Sequence, residues 1–332
     1  MLRGIGNVDG RVVADTGKDE CEPERIVEIS IDCGTSGRAT EQALTRWVAR
    51  DGMGTVLDAL SAHDASEVRD NLIDGIVTGP LLGEQLVAKR PDVRVLEHAV
   101  TRLRERATLP LLAALDRRDE LDALWLCDLL TRTGAAGLRI ICSTLMERSP
   151  KAQRVLLGVL EREGMSPVES DLDQLANVED GAVRREALRL LIKRPETQLM
   201  SVVRAIKDRD EKIVLLGLSS AGTPSAPLFV NALLVRLSHG GEWSDGVRVR
   251  AIRALAASGS ETAVPWLTQQ VLTHHWLWRT ERLRKANAET VACIAGLAVH
   301  WHAHPRAAAA LRLARKSRDS EFVNAVRRAE PT

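Results

Sequence analysis

The chain of 332 residues contains no tyrosine and only two phenylalanines. Aromatic residues are typical of β-strands, whereas the alanine, leucine, arginine and glutamate that dominate this sequence favour helices. Lysine and arginine number 46 and aspartate and glutamate 45, which gives a net charge of +1. Proteins dedicated to nucleic acids or membrane surfaces are usually clearly basic. The composition therefore predicts a helical protein and argues against both of those classes.

Long apolar runs and paired cysteines are also missing. No segment reaches the roughly 18 apolar residues that a membrane span needs, and the opening "MLRGIGNVDG" lacks the apolar stretch of a secretory signal. The five cysteines include no Cys-x-x-Cys pair, which is typical of free thiols in a reducing compartment. We therefore expect a cytoplasmic protein, and the sequence predicts no cofactor.

A helical pattern recurs along the chain. Residues 178–191 begin with an acidic turn and continue with Val183, Ala187 and Leu191 at helical spacing, with arginines between them. The same register returns, mostly at intervals of roughly 30 to 34 residues, which is the period of helical solenoid repeats. The further copies are residues 118–130, 149–161, 209–221, 244–258, 287–299 and 318–328.

A partner helix is predicted between successive copies, so that each repeat forms a helical hairpin. The partner segments are residues 109–115, 135–147, 167–176, 196–207, 225–237, 262–272 and 305–315. A single hairpin cannot bury its own apolar face, so stacking of hairpins would stabilise the array. We therefore expect a set of second-helix residues to be buried between layers, namely Trp125, Leu129, Leu156, Leu160, Ala187, Leu191, Leu218, Ala251 and Leu255.

Two details of these hairpins resemble HEAT repeats of the bacterial, phycobilin-lyase-like type. One is the Asp-x-x-Val-Arg start of the second helix, as in residues 180–184. The other is an early proline in the first helix, as at Pro110, Pro227 and Pro265. The resemblance covers residues 105–330 well and residues 38–104 weakly. It implies an all-α fold, an α-solenoid or superhelix of about seven to nine helical hairpins.

Three regions follow from these patterns. Residues 1–37 are predicted to be a flexible N-terminal tail, with a strand-like segment formed by Ile26, Val27, Ile29 and Ile31. Residues 38–104 are predicted to be degenerate helical repeats or an N-terminal cap, and residues 105–330 to be the HEAT-repeat array. The array carries an insertion at 274–287, where the spacing between repeats widens.

The insertion is the predicted partner-binding site. It combines two tryptophans with four cations, and tryptophan and arginine are the side chains most often found at binding hot spots. Loops also carry function more often than the helices that display them. The predicted site residues are Trp276, Trp278, Arg279, Arg282, Arg284 and Lys285. The alternative is that the tryptophans fill a hydrophobic gap left by an irregular repeat.

Five of the eight histidines also lie in this part of the chain. His300 and His304 have the i, i+4 spacing with which one helix can present two imidazoles to zinc. However, Pro305 follows at once, and neither a His-Glu-x-x-His motif nor a cysteine pair completes a site. We therefore predict no metal site and keep these two histidines as the weak candidates for one.

The sequence favours a binding protein over an enzyme. It shows no Ser–His–Asp or Cys–His set and no glycine-rich loop between a strand and a helix. We therefore predict a non-enzymatic scaffold or adaptor that binds a protein partner through the curved surface of the array, without contact to a membrane.

The alternative is a nucleic-acid-binding protein, since part of the HEAT-like family binds DNA and includes DNA glycosylases. Such a protein would use the basic C-terminal third, in particular Arg312, Arg315, Lys316, Arg318, Arg327 and Arg328. A further alternative is a chromophore lyase, because another part of the family resembles phycobilin lyases. No residue in the sequence selects either enzyme activity.

Overall fold

A computed structural model describes residues 22–117, 120–222, 225–239, 243–275 and 280–329. In this part of the chain almost all regular structure is helical, which confirms the predicted all-α class. One antiparallel pair of short strands is the exception. None of the described helices is long and apolar enough to cross a membrane.

The chain divides into two units, which are described separately. The first unit comprises the described residues up to Ala114 together with Asp128–Gly137. Its helices are α1 (Pro23–Asp32), α2 (Arg38–Asp51), α3 (Met53–Ala62), α4 (Glu67–Ile76), α5 (Gly79–Val87) and α6 (Val93–Leu103), followed by a 3-10 turn at Arg104–Ala107. Three helices are divided between the units, namely α7 (Thr108–Arg117), α8 (Glu120–Arg132) and α9 (Gly134–Thr144).

The second unit contains the longer run of helices. After a 3-10 turn at Leu145–Glu147 it continues with α10 (Pro150–Arg162), α11 (Glu169–Leu175), α12 (Gly181–Ile192), α13 (Gln198–Ile206), α14 (Glu211–Ser220), α15 (Pro227–His239), α16 (Asp245–Ala256) and α17 (Ala263–Val271). The strands β1 (Leu272–His275) and β2 (Thr280–Leu283) follow, and the last helices are α18 (Ala288–His300), α19 (Pro305–Arg315) and α20 (Ser320–Ala329).

The helices of the second unit pack in two layers. From α12 onward, each helix contacts the helix two places further along the chain. One layer therefore consists of α12, α14, α16, α18 and α20, and the other of α13, α15, α17 and α19. This alternation is what stacked helical hairpins produce. The solenoid arrangement of HEAT repeats and the domain boundaries at 37/38 and 104/105 stay predictions.

The repeated register predicted the core well. Of the nine residues expected between layers, seven are buried, whereas Trp125 and Leu218 are only half-buried. The helices also approach closely at small residues. A Cβ atom on Gly217 would lie 2.9 Å from the Cβ of Ala205, and one on Gly296 would lie 2.5 Å from the Cβ of Ala256. These positions therefore favour glycine.

Acidic caps start several of the repeated helices. The carboxylate of Asp180 accepts hydrogen bonds from the backbone N–H groups of Ala182 at 2.8 Å and Val183 at 3.0 Å. Asp210 accepts one from Lys212 at 2.8 Å in the same way. These carboxylates satisfy backbone donors that have no partner within the helix. The acidic turn of the repeat pattern is therefore a helix start signal.

The strand expected near the N-terminus is wrong, because Pro23–Asp32 form the helix α1. Proline at the first helical position and Glu24 in the first turn both favour a helix start. Val27 and Ile31 are four residues apart and both buried, whereas Ile29 is half exposed. Over so short a segment the apolar residues fit a helical and an alternating pattern equally well. The preceding residues 1–21 of the predicted tail lie outside the described residues.

Candidate partner-binding surface

The described residues on either side of 276–279 form an antiparallel strand pair, which we call the hairpin. β1 and β2 pair in antiparallel fashion, with Leu272 opposite Leu283 and Thr273 opposite Arg282. Arg284 closes the base of the hairpin, since its backbone N–H donates to the carbonyl of Val271 at 2.8 Å and its Nε to that of Leu272 at 3.3 Å. The predicted site residues Trp276, Trp278 and Arg279 lie outside the described residues.

The remaining predicted cations have different surroundings. Arg282 and Lys285 are exposed, and neither forms an ion pair within the described part of the chain. Arg284 is exposed as well, but its guanidinium holds the backbone at the hairpin base. The structure therefore places Arg282 and Lys285 where a partner can reach them and gives Arg284 a structural contact.

A groove of about 570 Å³ lies between α17, α19 and the hairpin. This volume is within the range of small-molecule and peptide pockets. Successive side chains of a strand point to opposite faces, so Glu281 and Leu283 share one face of β2 and Arg282 lies on the other. The groove is lined by Pro265, Gln269, Leu272, Glu281, Arg306 and Ala309.

Exposed cations surround this end of the second unit. Residues 281–329 contain ten lysines and arginines but four aspartates and glutamates, a net charge of +6. Six exposed cations on and between α19 and α20 form no ion pair with the described residues; we call them the basic set, and they are Arg306, Arg312, Lys316, Arg318, Arg327 and Arg328. Their charge is therefore not compensated locally.

Arginines of the repeat motif have a different role. Arg184 follows Val183 in α12, and its guanidinium donates to the Asp208 carboxylate at 2.9 and 3.0 Å. It also donates to the carbonyls of Val178 at 3.0 Å and Glu179 at 2.7 Å. Only 6% of Arg184 is exposed. This pair therefore connects one repeat to the next from inside the fold.

The same link recurs at Arg248, which follows Val247 in α16. Its guanidinium donates to the two carboxylate oxygens of Glu289 in α18, at 2.6 and 3.0 Å. α14 has Val214 at the corresponding position and lacks the link. The arginine of the Val-Arg dipeptide is therefore a structural residue in both of these repeats, although Ser244 replaces the aspartate of the Asp-x-x-Val-Arg pattern in the second.

The tryptophans flanking the insertion belong to the core. Trp266 is 9% exposed, and its indole N–H donates to the hydroxyl of Ser238 at 3.1 Å. Trp301 is half-buried and donates to the carbonyl of Ala256 at 2.8 Å. Indole N–H groups in such positions need a partner, and both have one. For these two residues the core-filling alternative holds.

The two histidines considered for zinc do not share a helical face. α18 ends at His300, and His304 is the N-terminal cap of α19. The Nδ1 atom of His304 accepts a hydrogen bond from the backbone N–H of Arg306 at 3.3 Å, and its ring packs edge-on against Trp301. No cluster of metal-ligating side chains is present among the described residues.

One Ser–His–Asp set that sequence reasoning missed lies in the first unit. Nε2 of His98 is 2.8 Å from the Asp58 carboxylate, and its Nδ1 is 3.4 Å from the Ser61 hydroxyl. The hydrogen bond from His98 lowers the pKa of Asp58, which burial would raise. Ser61 stands near the C-terminal end of α3, where the backbone offers carbonyl groups and no N–H donors for an oxyanion. The set is therefore poorly arranged for acyl transfer.

In the second unit, the pKa values of two cysteines and one aspartate are shifted away from neutral pH. Burial raises the pKa of the Cys293 thiol to about 12, and it also raises that of Cys142. Burial alone would raise the pKa of Asp208, but hydrogen bonds from Arg184 and the backbone of Asp210 outweigh it and lower the pKa. Low-pKa thiols and high-pKa carboxyls are typical of catalytic groups. The shifts here have the opposite directions.

Comparison with known proteins identifies no relative of this chain. No family model matches the chain, and no curated protein or solved structure matches it either. The HEAT-like assignment therefore depends on the repeat pattern and stays a prediction.

Proposed function

We propose that the chain is a non-enzymatic, HEAT-like scaffold that binds an acidic protein partner through its C-terminal part. The supporting observation is the basic set, whose six exposed cations stand in a segment of net charge +6. Charges without an internal partner contribute little to stability and are available to a partner of opposite charge. The neighbouring groove adds apolar area that such a partner can bury.

The directions of the pKa shifts support a binding role over catalysis. A nucleophilic thiol would need a lowered pKa, and burial raises those of Cys142 and Cys293. A carboxyl acting as a general acid would need a raised pKa, and those of Asp58 and Asp208 are lowered. Neither thiol is therefore prepared for nucleophilic attack, and neither carboxyl for a general-acid role.

Binding of nucleic acid is the second candidate, because the same +6 excess can contact phosphates. Sequence-tolerant binding of single strands also uses exposed aromatic rings on which bases stack. In the described part of the chain every phenylalanine and tryptophan is buried or half-buried. The described residues therefore offer no exposed ring for stacking, whereas Trp276 and Trp278 lie outside them.

Affinity capture separates the two candidates. The full chain is used as bait in a native lysate, with and without nuclease treatment, and over a range of salt concentrations. The proposal predicts a stoichiometric protein that remains after nuclease treatment. Recovery of nucleic acid alone, or loss of all bound protein with nuclease, contradicts it. A titration with DNA and RNA at low salt tests the second candidate directly, since absence of binding there removes it.

A further inference from the structure

We propose that the groove between α17, α19 and the hairpin binds an acidic segment of the partner that also carries aliphatic side chains. This inference rests on the proposed function and specifies the chemistry of its partner. The occupant is an extended or single-turn segment of a protein, since the groove measures about 570 Å³.

Half of the eight described lining residues of the groove are apolar, and we call these four its apolar floor. They are Pro265 on α17, Leu272 on β1, and Pro305 with Ala309 on α19, whereas Thr268 and Gln269 add polar groups on α17. None of the described lining residues is aromatic, so these residues offer no ring for a base to stack on. An aliphatic side chain is the group that gains most from burial against such a floor.

The charges at the groove are unequal on its two sides. Arg306 lines the α19 side, and Arg312 and Lys316 lie further along the same helix, exposed and without ion pairs to described residues. Glu281 lines the hairpin side. A bound segment therefore places its carboxylates toward α19.

A second groove of similar size shows what is special about this one. The groove between α11 and α13 measures about 520 Å³ and is lined by Glu169, Asp173 and Glu196 as well as by Arg204 and Lys207. Arg204 already donates to the Asp173 carboxylate at 3.2 Å. The carboxylates of this groove outnumber its cations, so groove volume alone does not predict an acidic occupant.

The test uses a fluorescein-labelled peptide of alternating glutamate and leucine, followed by fluorescence anisotropy on the full chain. Three probes serve as controls: a lysine–leucine peptide, a glutamate–serine peptide and a single-stranded DNA oligonucleotide. The inference predicts binding of the glutamate–leucine peptide in preference to all three. Equal binding of the glutamate–serine peptide contradicts a role for the apolar floor. Tighter binding of the oligonucleotide assigns the charges to nucleic acid instead.

Two variants with the same change of charge, one inside the groove and one outside it, test where the peptide binds. Arg306→Glu reverses a charge inside the groove, and Arg253→Glu reverses one on an exposed residue of α16 that is not among the lining residues. We expect Arg306→Glu to weaken peptide binding about tenfold or more and Arg253→Glu about twofold or less, through long-range attraction alone. Glutamate in the first turn of α19 suits the helix dipole, so Arg306→Glu retains the fold. If both variants weaken peptide binding equally, the peptide does not bind in the groove.

A third variant tests the groove without changing charge. Ala309→Trp fills the floor, and it is expected to prevent peptide binding while circular dichroism stays that of the parent chain. Peptide binding that survives this filling contradicts the inference.

Together with the capture experiment, these variants separate the inference from the proposed function. If a captured protein partner binds Arg306→Glu and Ala309→Trp as tightly as it binds the parent chain, the groove is not its binding site, but the proposed function still holds. Peptide binding without any captured protein partner contradicts the proposed function.

Discussion

The N-terminal helices and the C-terminal helices have net charges of opposite sign. Residues 22–114 contain fifteen aspartates and glutamates and eleven lysines and arginines, a net charge of −4, whereas residues 281–329 have a net charge of +6. Some arginines of the N-terminal helices connect neighbouring helices, as Arg102 does with Asp74 and Arg94 with Asp58. In the C-terminal helices the basic set has no such acidic partners among the described residues.

The difference teaches that one residue type serves two purposes in this chain. An arginine beside a carboxylate of the next helix holds two helices in register, and its removal affects the fold. An exposed arginine of the basic set has no such carboxylate among the described residues, so its charge is available to a contact outside the chain. Composition alone shows the charge of each region, but only the structure shows which charges are already paired.

The largest expected effect contrasts a buried arginine with an exposed one. Arg184→Ala leaves the Asp208 carboxylate, whose side chain is 10% exposed, without its guanidinium. We expect a loss of about 3 kcal/mol in the free energy of unfolding. Arg312→Ala removes an unpaired exposed charge and is expected to change it by less than about 0.5 kcal/mol. Urea denaturation of both variants checks this, and similar losses contradict the comparison.

The next effect concerns binding by the insertion residues that the sequence alone assigns. Replacing Trp276, Trp278 and Arg279 together with alanine is expected to weaken partner binding by about 2 kcal/mol or more, the usual hot-spot scale. The melting temperature should stay that of the parent chain. If the melting temperature falls and binding survives, these tryptophans fill the core and the sequence-based site is wrong.

A smaller effect tests whether the helices of the C-terminal part are tightly packed. Gly296→Ala on α18 brings a Cβ to 2.5 Å from that of Ala256 and is expected to reduce stability by about 1 to 3 kcal/mol. Gly83 on α5 is the N-terminal control, because no atom lies within 4 Å of its added Cβ. Gly83→Ala is expected to raise stability by up to about 1 kcal/mol. A neutral Gly296→Ala would show a loosely packed C-terminal part.

The smallest effect is a dependence on acid pH. The pKa of Asp208 is lowered in the folded chain, so its contribution to stability is present above the unfolded pKa of about 3.9 and is lost as the pH falls through the folded value. The stability difference between the parent chain and Asp208→Asn should therefore shrink below about pH 4. Asp74→Asn, at a half-exposed carboxylate, should show the same trend more weakly. A difference that is constant with pH contradicts the assignment.

Periodicity predicted much of the core because helical spacing is a local property. Leu156, Ala187 and Leu255 are buried as their register indicated. The helix α1 was mistaken for a strand because β-branched residues dominate a short segment, in which both periods fit. The hairpin was not predicted as such, since each strand has only four residues and includes polar ones.

The site could be predicted only in part, because convergence depends on packing between distant segments. The local basic excess is visible in the sequence, and it indicated the C-terminal third. The groove combines α17, a hairpin and α19, and no spacing rule connects Pro265 with Ala309. The Asp58–His98–Ser61 set likewise joins α3 with α6. Its sequence signal is limited to an aspartate and a serine three residues apart on one helix.

The most direct test of the central claim compares two double charge reversals in the capture experiment. Arg312→Glu with Lys316→Glu alters the basic set, and Arg250→Glu with Arg253→Glu alters exposed arginines of α16 that also lack ion pairs to described residues. The account predicts that the first pair removes the captured protein partner at unchanged melting temperature, whereas the second pair retains it. Retention of the partner by the first pair, or its loss only with the second, would contradict the account.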